Sequence, residues 1–307
     1  MTLNYINRLG IRRFAGLVFL LITLFFYNGC VKDTSNEIDK NLEDAISEQM
    51  VVEAALAAHL IAVAENAGLT KDEINSHLKL ISDNSVISEF WITDEKGNAY
   101  LTNTGIDFSF SPDPKIQPQA AEFWKLISGK QNVVIQEAQK REIDNNTFKY
   151  VGVAGIDKPR IVQIGLNMEK LKQNADIETA VGNHMQTQAL LASYLVAIAE
   201  KAGLSSKEIN SHLKAIAACT ILDEFWITDS LGNAYLKNVD IDFTFSADPK
   251  VQPQAYEFWD LISGTKKSVI QKAQKREIDD QVFKYAGATG IDKPRIVQVG
   301  IQYNYFK

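Results

Sequence analysis

The sequence predicts an α+β fold in two tandem copies, each a long N-terminal helix packed on an antiparallel sheet. Three observations carry this. Shifting the chain by 135 positions aligns residues 65–167 with 200–302 without a gap, and 67 of those 103 positions are identical. A period so far above the roughly 20–50 residues of solenoid repeats makes each copy a whole domain rather than a stacking unit. Each copy also opens on apolar residues spaced by three or four and closes on segments that alternate, so helices precede strands.

In the first copy, Leu42, Ile46, Met50, Ala54, Ala57, Ile61 and Ala64 mark one face of a helix across 38–67, and the second copy repeats the pattern from about Met168 to Ala202 with Gly182 as an internal weak point. Both helices stop at AGL, where Gly68 and Gly203 suit the left-handed residue after a helix end. TKDE (70–73) and SSKE (205–208) are capping boxes that start a second, shorter helix. EFWITDEKGNAYLTN (89–103) and EFWITDSLGNAYLKN (224–238) then read as a hairpin, with Asp94 and Gly97 in its turn. A proline loop, SPDPKIQP (111–118), leads into a helix through AAEFWKLIS that Gly129 closes. Strands follow around 133–143, 148–155 and 160–166, the last two joined by IDKP, whose pre-proline residue is held extended.

At 307 residues, 46% hydrophobic and 23% charged, the chain has room for two domains. A net charge of −6 with no basic stripe argues against nucleic acid as a partner. The N-terminus differs from the rest. Arg8, Arg12 and Arg13 precede the apolar run FAGLVFLLITLFFY (14–27), which is shorter than the roughly 20 residues of a spanning helix. The pattern is that of an export signal. Gly29–Cys30 resembles the lipobox of bacterial lipoproteins, which implies lipidation at Cys30; an uncleaved signal anchor is the other reading. The expected organisation is a signal segment 1–30, a linker 31–37, a first domain 38–170 and a second 171–307. Cys219 is the one other cysteine, so no disulfide is expected, and its counterpart Asn84 argues against a shared chemical role.

The long helix, the FWITDxxGxxYLxN hairpin and the closing FKYxGxxGxDKPRIVQxG ladder resemble Cache domains, the PAS-like extracytoplasmic sensor modules of bacterial chemoreceptors and sensor kinases. The resemblance covers about 40–167 and 175–302 and implies two tandem PAS-like domains that bind a small ligand. The Cache amino-acid motif of Tyr, Arg, Trp-Tyr and Asp is not evident. No second apolar span or kinase region follows IQYNYFK, so the expectation is a sensor or accessory protein, exported and held at the membrane by its N-terminus, that acts through a separate membrane signalling protein.

Strand alternation sorts the side chains. Phe148, Tyr150 and Gly152 share one face and Val151 and Val153 the other; the second copy keeps Phe283, Tyr285 and Gly287 but replaces the valines by Ala286 and Ala288. The valine face is therefore expected against the long helix, and the aromatic face toward a pocket in which glycine leaves room. Trp91 and Tyr100 are expected on one face of the hairpin, and Arg141 and Arg160 as forks for a small carboxylate. The candidate ligand-binding residues are Trp91, Tyr100, Trp124, Arg141, Tyr150 and Arg160, with Trp226, Tyr235, Trp259, Arg276, Tyr285 and Arg295 as their equivalents. Each also has a structural reading: Trp124 and Trp259 as core, Trp91 and Tyr100 as hairpin packing, Arg160 paired with Asp157 and Arg141 with a surface carboxylate.

Of the histidines, His77 and His212 correspond but lack neighbours at metal-ligand spacing, so neither a metal nor another cofactor is expected. No nucleophile elbow or phosphate loop is present, and binding rather than catalysis is the reading. A cell-surface scaffold without a ligand is the alternative.

Overall fold

Helix α1 (Lys40–Asn66) runs 27 residues, about 40 Å, and is buried around nearly its whole circumference. The computed structural model describes residues 40–141, 144–171 and 176–303; the export segment and Cys30 lie outside them. α1 is long and apolar enough to cross a membrane, yet it is a core helix here. α1 and its counterpart α5 (Ile177–Lys201) pack on one another, and Ala54, Ala57, Ala58 and Ala64 of α1 are buried. α5 begins at Ile177 rather than near Met168. Met168–Lys170 form a single 3-10 turn, and Asp176 caps the new start by accepting from the Thr179 amide at 2.7 Å.

Each long helix ends at its glycine in the left-handed region, Gly68 at φ +78° and Gly203 at +81°. The capping boxes then open α2 (Lys71–Asp83) and α6 (Ser206–Cys219), both reciprocal bonds being present in each. In the first half β1 (Glu89–Thr93) and β2 (Ala99–Thr102) make the hairpin. The expected helix through AAEFWKLIS is two single turns, α3 (Pro118–Ala121) and α4 (Trp124–Ile127). Short β3 (Val133–Ile135) and β4 (Gln139–Lys140) replace the expected long strand, and β5 (Thr147–Ala154) and β6 (Ile161–Asn167) complete the sheet. The second half repeats these as β7 (Glu224–Thr228), β8 (Ala234–Lys237), α7 (Pro253–Tyr256), α8 (Trp259–Ile262), β9 (Ser268–Ile270), β10 (Gln274–Lys275), β11 (Val282–Thr289) and β12 (Ile296–Gln302).

Both sheets are antiparallel and six-stranded, ordered β2-β1-β6-β5 and β8-β7-β12-β11, with the two short strands of each half paired along the outer side of β5 or β11. A long helix on such a sheet, twice over, fits two tandem PAS-like domains. Val151 and Val153 face the helices, as the alternation predicted, and Phe90, Ile92 and Ile164 join them in the same core. These side chains belong to one apolar core that runs through both halves, so residues 38–307 form one compact unit. A second, smaller core lies on the opposite face of each sheet, built on Trp91, Phe123, Phe148 and Tyr150 in one and Trp226, Phe258, Phe283 and Tyr285 in the other.

Where α1 meets α5 the core is not wholly apolar. His184 Nδ1 bonds Glu53 Oε1 at 2.8 Å, and Gln188 Nε2 donates to Gln49 Oε1 at 2.7 Å, with all four side chains buried. The repeat relation exchanges these two pairs, Glu53 matching Gln188 and His184 matching Gln49. It likewise exchanges the contact of His59 with His212, Nδ1 to Nδ1 at 2.8 Å, for that of Tyr194 with His77. The two halves thus meet about an approximate two-fold axis.

Burial, together with the neighbouring His212, pushes the His59 pKa down to about 4. An unfolded chain protonates that imidazole near 6.5. Between these values the unfolded state binds the extra proton, so stability falls as pH drops from about 6.5 toward 4. The two values put the loss at up to about 3 kcal/mol. Urea midpoints measured across that range should decline less steeply in His59→Asn; parallel declines in the two proteins would refute this assignment.

Candidate functional site

Two cavities open on the far faces of the sheets, one in each half. The first is walled by Trp91, Phe108, Phe110, Phe123, Arg141 and Tyr150, with Gln119, Gln136 and Gln163 adding amide groups. The second has equivalent walls from Trp226, Phe243, Phe245, Phe258, Arg276 and Tyr285, with Gln254, Gln271 and Gln298, and is lined in addition by Glu277 and Ile278. Counted as space open to the centres of water molecules, they hold about 50 and 40 Å³. That is room for a few waters or one very small molecule.

The first cavity has a buried ionic floor. Glu89 precedes Trp91 by two residues on β1, so both side chains point to the same face. Glu89 Oε2 accepts from Trp91 Nε1 at 3.0 Å and from the Tyr150 hydroxyl at 3.1 Å, and its Oε1 accepts from Arg141 Nη1. The rest of the Arg141 fork closes on Asp144, through Nε at 2.6 Å and through Nη2, and its guanidinium lies 4.0 Å over the Phe148 ring. Glu224, Trp226, Tyr285, Arg276, Asp279 and Phe283 reproduce the arrangement in the second half. The Asp144 fork holds the Arg141 pKa above its usual value, and the same bonds keep the Asp144 carboxyl well below the carboxylate range. Burial raises the Tyr150 hydroxyl. All three groups hold one charge state around neutral pH.

The structure therefore brings Trp91, Arg141 and Tyr150 together at one cavity, and Trp226, Arg276 and Tyr285 at the other. The remaining candidates lie elsewhere. Tyr100 does not share a face with Trp91, because a β-bulge breaks the register beside Thr93: Ile92 pairs with Leu101 and Thr93 with Ala99. Tyr100 is the extra residue and turns with Leu101 toward α1, where its hydroxyl bonds Glu65. Arg160 sits on the same side, fully buried, with Nη1 on Glu65 at 2.9 Å and on the Tyr100 hydroxyl at 2.6 Å, and Nη2 on Asp157 at 2.5 Å. Tyr235 and Arg295 do the same around Glu200 and Asp292.

Trp124 packs over the hairpin turn, its indole Nε1 donating to the Phe110 carbonyl at 2.9 Å. Gly97 at φ +82° is required beneath it, since a β-carbon there would come within 2.8 Å of the Trp124 ring. The Trp259 ring covers Gly232 likewise, but its buried Nε1 makes no bond to a described residue. The space expected from Gly152 and Gly287 is also taken: the rings of Phe123 and Phe258 fill it, at 2.8 and 2.9 Å from where a β-carbon would stand.

Glu89, Asp144, Gln136 and Gln163 were not among the expected residues, nor were their equivalents. Glu89 had a signal in the sequence, an acid two positions before a tryptophan on an alternating strand. Gln163 had the same signal within VQIG, on the strand between the hairpin and β5. Asp144, three residues from Arg141, had the spacing that marked Asp157 beside Arg160, and Asn145 next to it takes φ +62°.

No family model and no curated protein matches the chain. Solved structures of sensor domains do. The sensor domain of the Vibrio cholerae histidine kinase DctB is 11% identical, with 85% of this chain and 88% of that chain covered and a TM-score of 0.24. The ligand-binding domain of the Pseudomonas fluorescens chemoreceptor CtaA, in complex with L-isoleucine, is 10% identical over 87% of this chain and 94% of that one, with a TM-score of 0.25. The sensory domain of the Campylobacter jejuni chemoreceptor Tlp3, with isoleucine bound, is 10% identical at the same coverage, with a TM-score of 0.23.

Proposed function

We propose that the protein is an extracytoplasmic sensor or accessory protein, with one small-ligand site on the far face of each sheet, that passes its bound state to a separate membrane signalling protein. The observation that carries the reading is the sameness of the two cavities. All ten residues lining the first have identical residues at the equivalent positions of the second. Across the aligned repeat only 67 of 103 positions are identical, so about two-thirds would be expected by the general rate. Burial alone does not explain the difference. On the helix side of the same sheets, Val151, Val153, Ile164 and Leu166 have become Ala286, Ala288, Val299 and Ile301.

The charge states support binding rather than catalysis. The Arg141 guanidinium and Tyr150 hydroxyl are both held protonated, and neither can serve as a base near neutral pH. A small carboxylate, the ligand expected from the arginines, meets Arg141 only by displacing Asp144 from the fork. The signal segment 1–30, with Cys30 as lipidation site or an uncleaved anchor in its place, would hold the two domains 38–170 and 171–307 outside the membrane.

The scaffold reading has its own support in the small cavities and the paired arginines. A thermal-shift and calorimetric screen of small polar metabolites on the full-length chain in detergent separates the two. The proposal expects a stabilising compound that binds at two equivalent sites and loses one site in Trp91→Ala and the other in Trp226→Ala. A silent screen would leave the scaffold.

A further inference from the structure

Resting on the reading that the cavities bind a small ligand, we infer that this ligand is uncharged and presents a carboxamide-like edge, an N–H beside a C=O, to the glutamine side chains of each cavity. The inference comes from which polar groups are still free. Arg141 is engaged through Nε, Nη1 and Nη2 by Asp144 and Glu89, and Glu89 has both oxygens occupied by Trp91, Tyr150 and Arg141. An anion would bring a third negative charge to two carboxylates that share one guanidinium, in a site with little water to screen it. A cation would find the floor carboxylates Glu89 and Asp144 already paired with Arg141, and Glu277 beside the second cavity accepting the Gln254 backbone amide through Oε1. The ionic groups have saturated one another.

The amides have not. Gln136 is 5% exposed; its Nε2 donates to the Gln119 carbonyl at 2.8 Å and to Glu122, so the assignment of its two ends is fixed. Its Oε1 is buried and accepts no bond among the described residues. Gln271 makes the same two bonds through Nε2, to Gln254 and Glu257. Gln163 is also 5% exposed, on the central strand β6 between Trp91 and Gly152, and its amide makes no bond to a described residue. Gln298 holds the same place between Trp226 and Gly287. A buried acceptor and a buried amide call for partners. A carboxamide edge matches the Gln163 amide group for group, donor to acceptor and acceptor to donor, and a further N–H suits Gln136 Oε1. The aromatic walls fit the apolar remainder of such a molecule.

Acetamide, acetate and acetamidinium have nearly one shape and three charges, and the cavity volume admits molecules of this size. Binding to the full-length chain in detergent can be followed by the indole N–H resonances of Trp91 and Trp226. Acetamide should move both, at concentrations about tenfold or more below those that acetate or acetamidinium needs. Gln163→Leu/Gln298→Leu should abolish the response, and Gln163→Glu/Gln298→Glu should turn the preference toward acetamidinium. Equal or tighter binding of either ion to the wild-type chain overturns the inference, while leaving a small-ligand site in place. So does binding of a metabolite from the wider screen with no response to acetamide. If nothing in either set binds, the ligand-binding reading falls as well. Should the leucine variant fail to fold, the isostere series on the wild-type chain decides alone.

Discussion

Arg160→Met should lower the unfolding free energy by about 3–5 kcal/mol, read from urea titration, because it removes one side of a buried ionic cluster and leaves the other. Arg160 is fully buried and is the common partner of Glu65, Tyr100 and Asp157. Its stem also packs against Gly155, where a β-carbon would stand 2.4 Å from Arg160 Cγ, so the chain has shaped backbone around it. Glu65 keeps Lys158 at 2.8 Å and some contact with water, and Asp157 is over a third exposed. Those outlets set the expectation toward the lower end of the range. Arg160→Lys should recover only part, since an ammonium cannot serve three acceptors spread around a plane. A loss under about 1 kcal/mol in Arg160→Met would show that the cluster is no stronger than a surface pair.

His184→Leu should be as damaging at neutral pH, about 3–5 kcal/mol, and should add a pH dependence of its own. Burial raises the Glu53 pKa, and His184 is what lowers it. Without the imidazole nothing offsets burial, and Glu53 takes up a proton in the folded state. A carboxyl whose folded pKa exceeds its unfolded value, about 4.3, favours folding fully below that value and loses the contribution as pH rises through the folded pKa. Relative to the parent, the variant should therefore lose least in mild acid and most toward pH 7. Glu53→Leu/His184→Leu should regain most of the loss, because an apolar pair of similar volume leaves no buried charge. A difference from the parent that does not change with pH, or a double variant weaker than the single, would contradict this account of the pair.

The backbone plan was readable because local signals agreed with one another. Gly68 followed by a TKDE cap leaves little freedom for a helix end and a helix start, and the two faces of β5 could be assigned from Val151 and Val153 drifting to alanine while Phe148 and Tyr150 stayed. The site was half readable. Trp91, Arg141 and Tyr150 came from aromatic and cationic type on alternating strands. Tyr100 went to the wrong face because it is itself the extra residue of a bulge opposite Ile92 and Thr93, and nothing in NAYL marks it. The pairing of Arg160 with Asp157 was legible as a local alternative, but Glu89 and Glu65, which occupy the rest of the Arg141 and Arg160 forks, lie far away in sequence. Gly152 looked like empty space for the same reason, since Phe123 reaches it from another element.

Consider finally two molecules trying to associate through matching halves. Two first halves would set Glu53 of each against Gln49 of the other, burying a pair of acids with no base between them. Two second halves would confront His184 with Gln188. Only the unlike combination gives the acid its imidazole, so a first half is matched to a second half and penalised for pairing with its own kind. Glu53→Leu/His184→Leu removes that preference. On refolding at high concentration the variant should yield dimers by light scattering where the parent yields monomers, and identical masses for both would dismiss the idea.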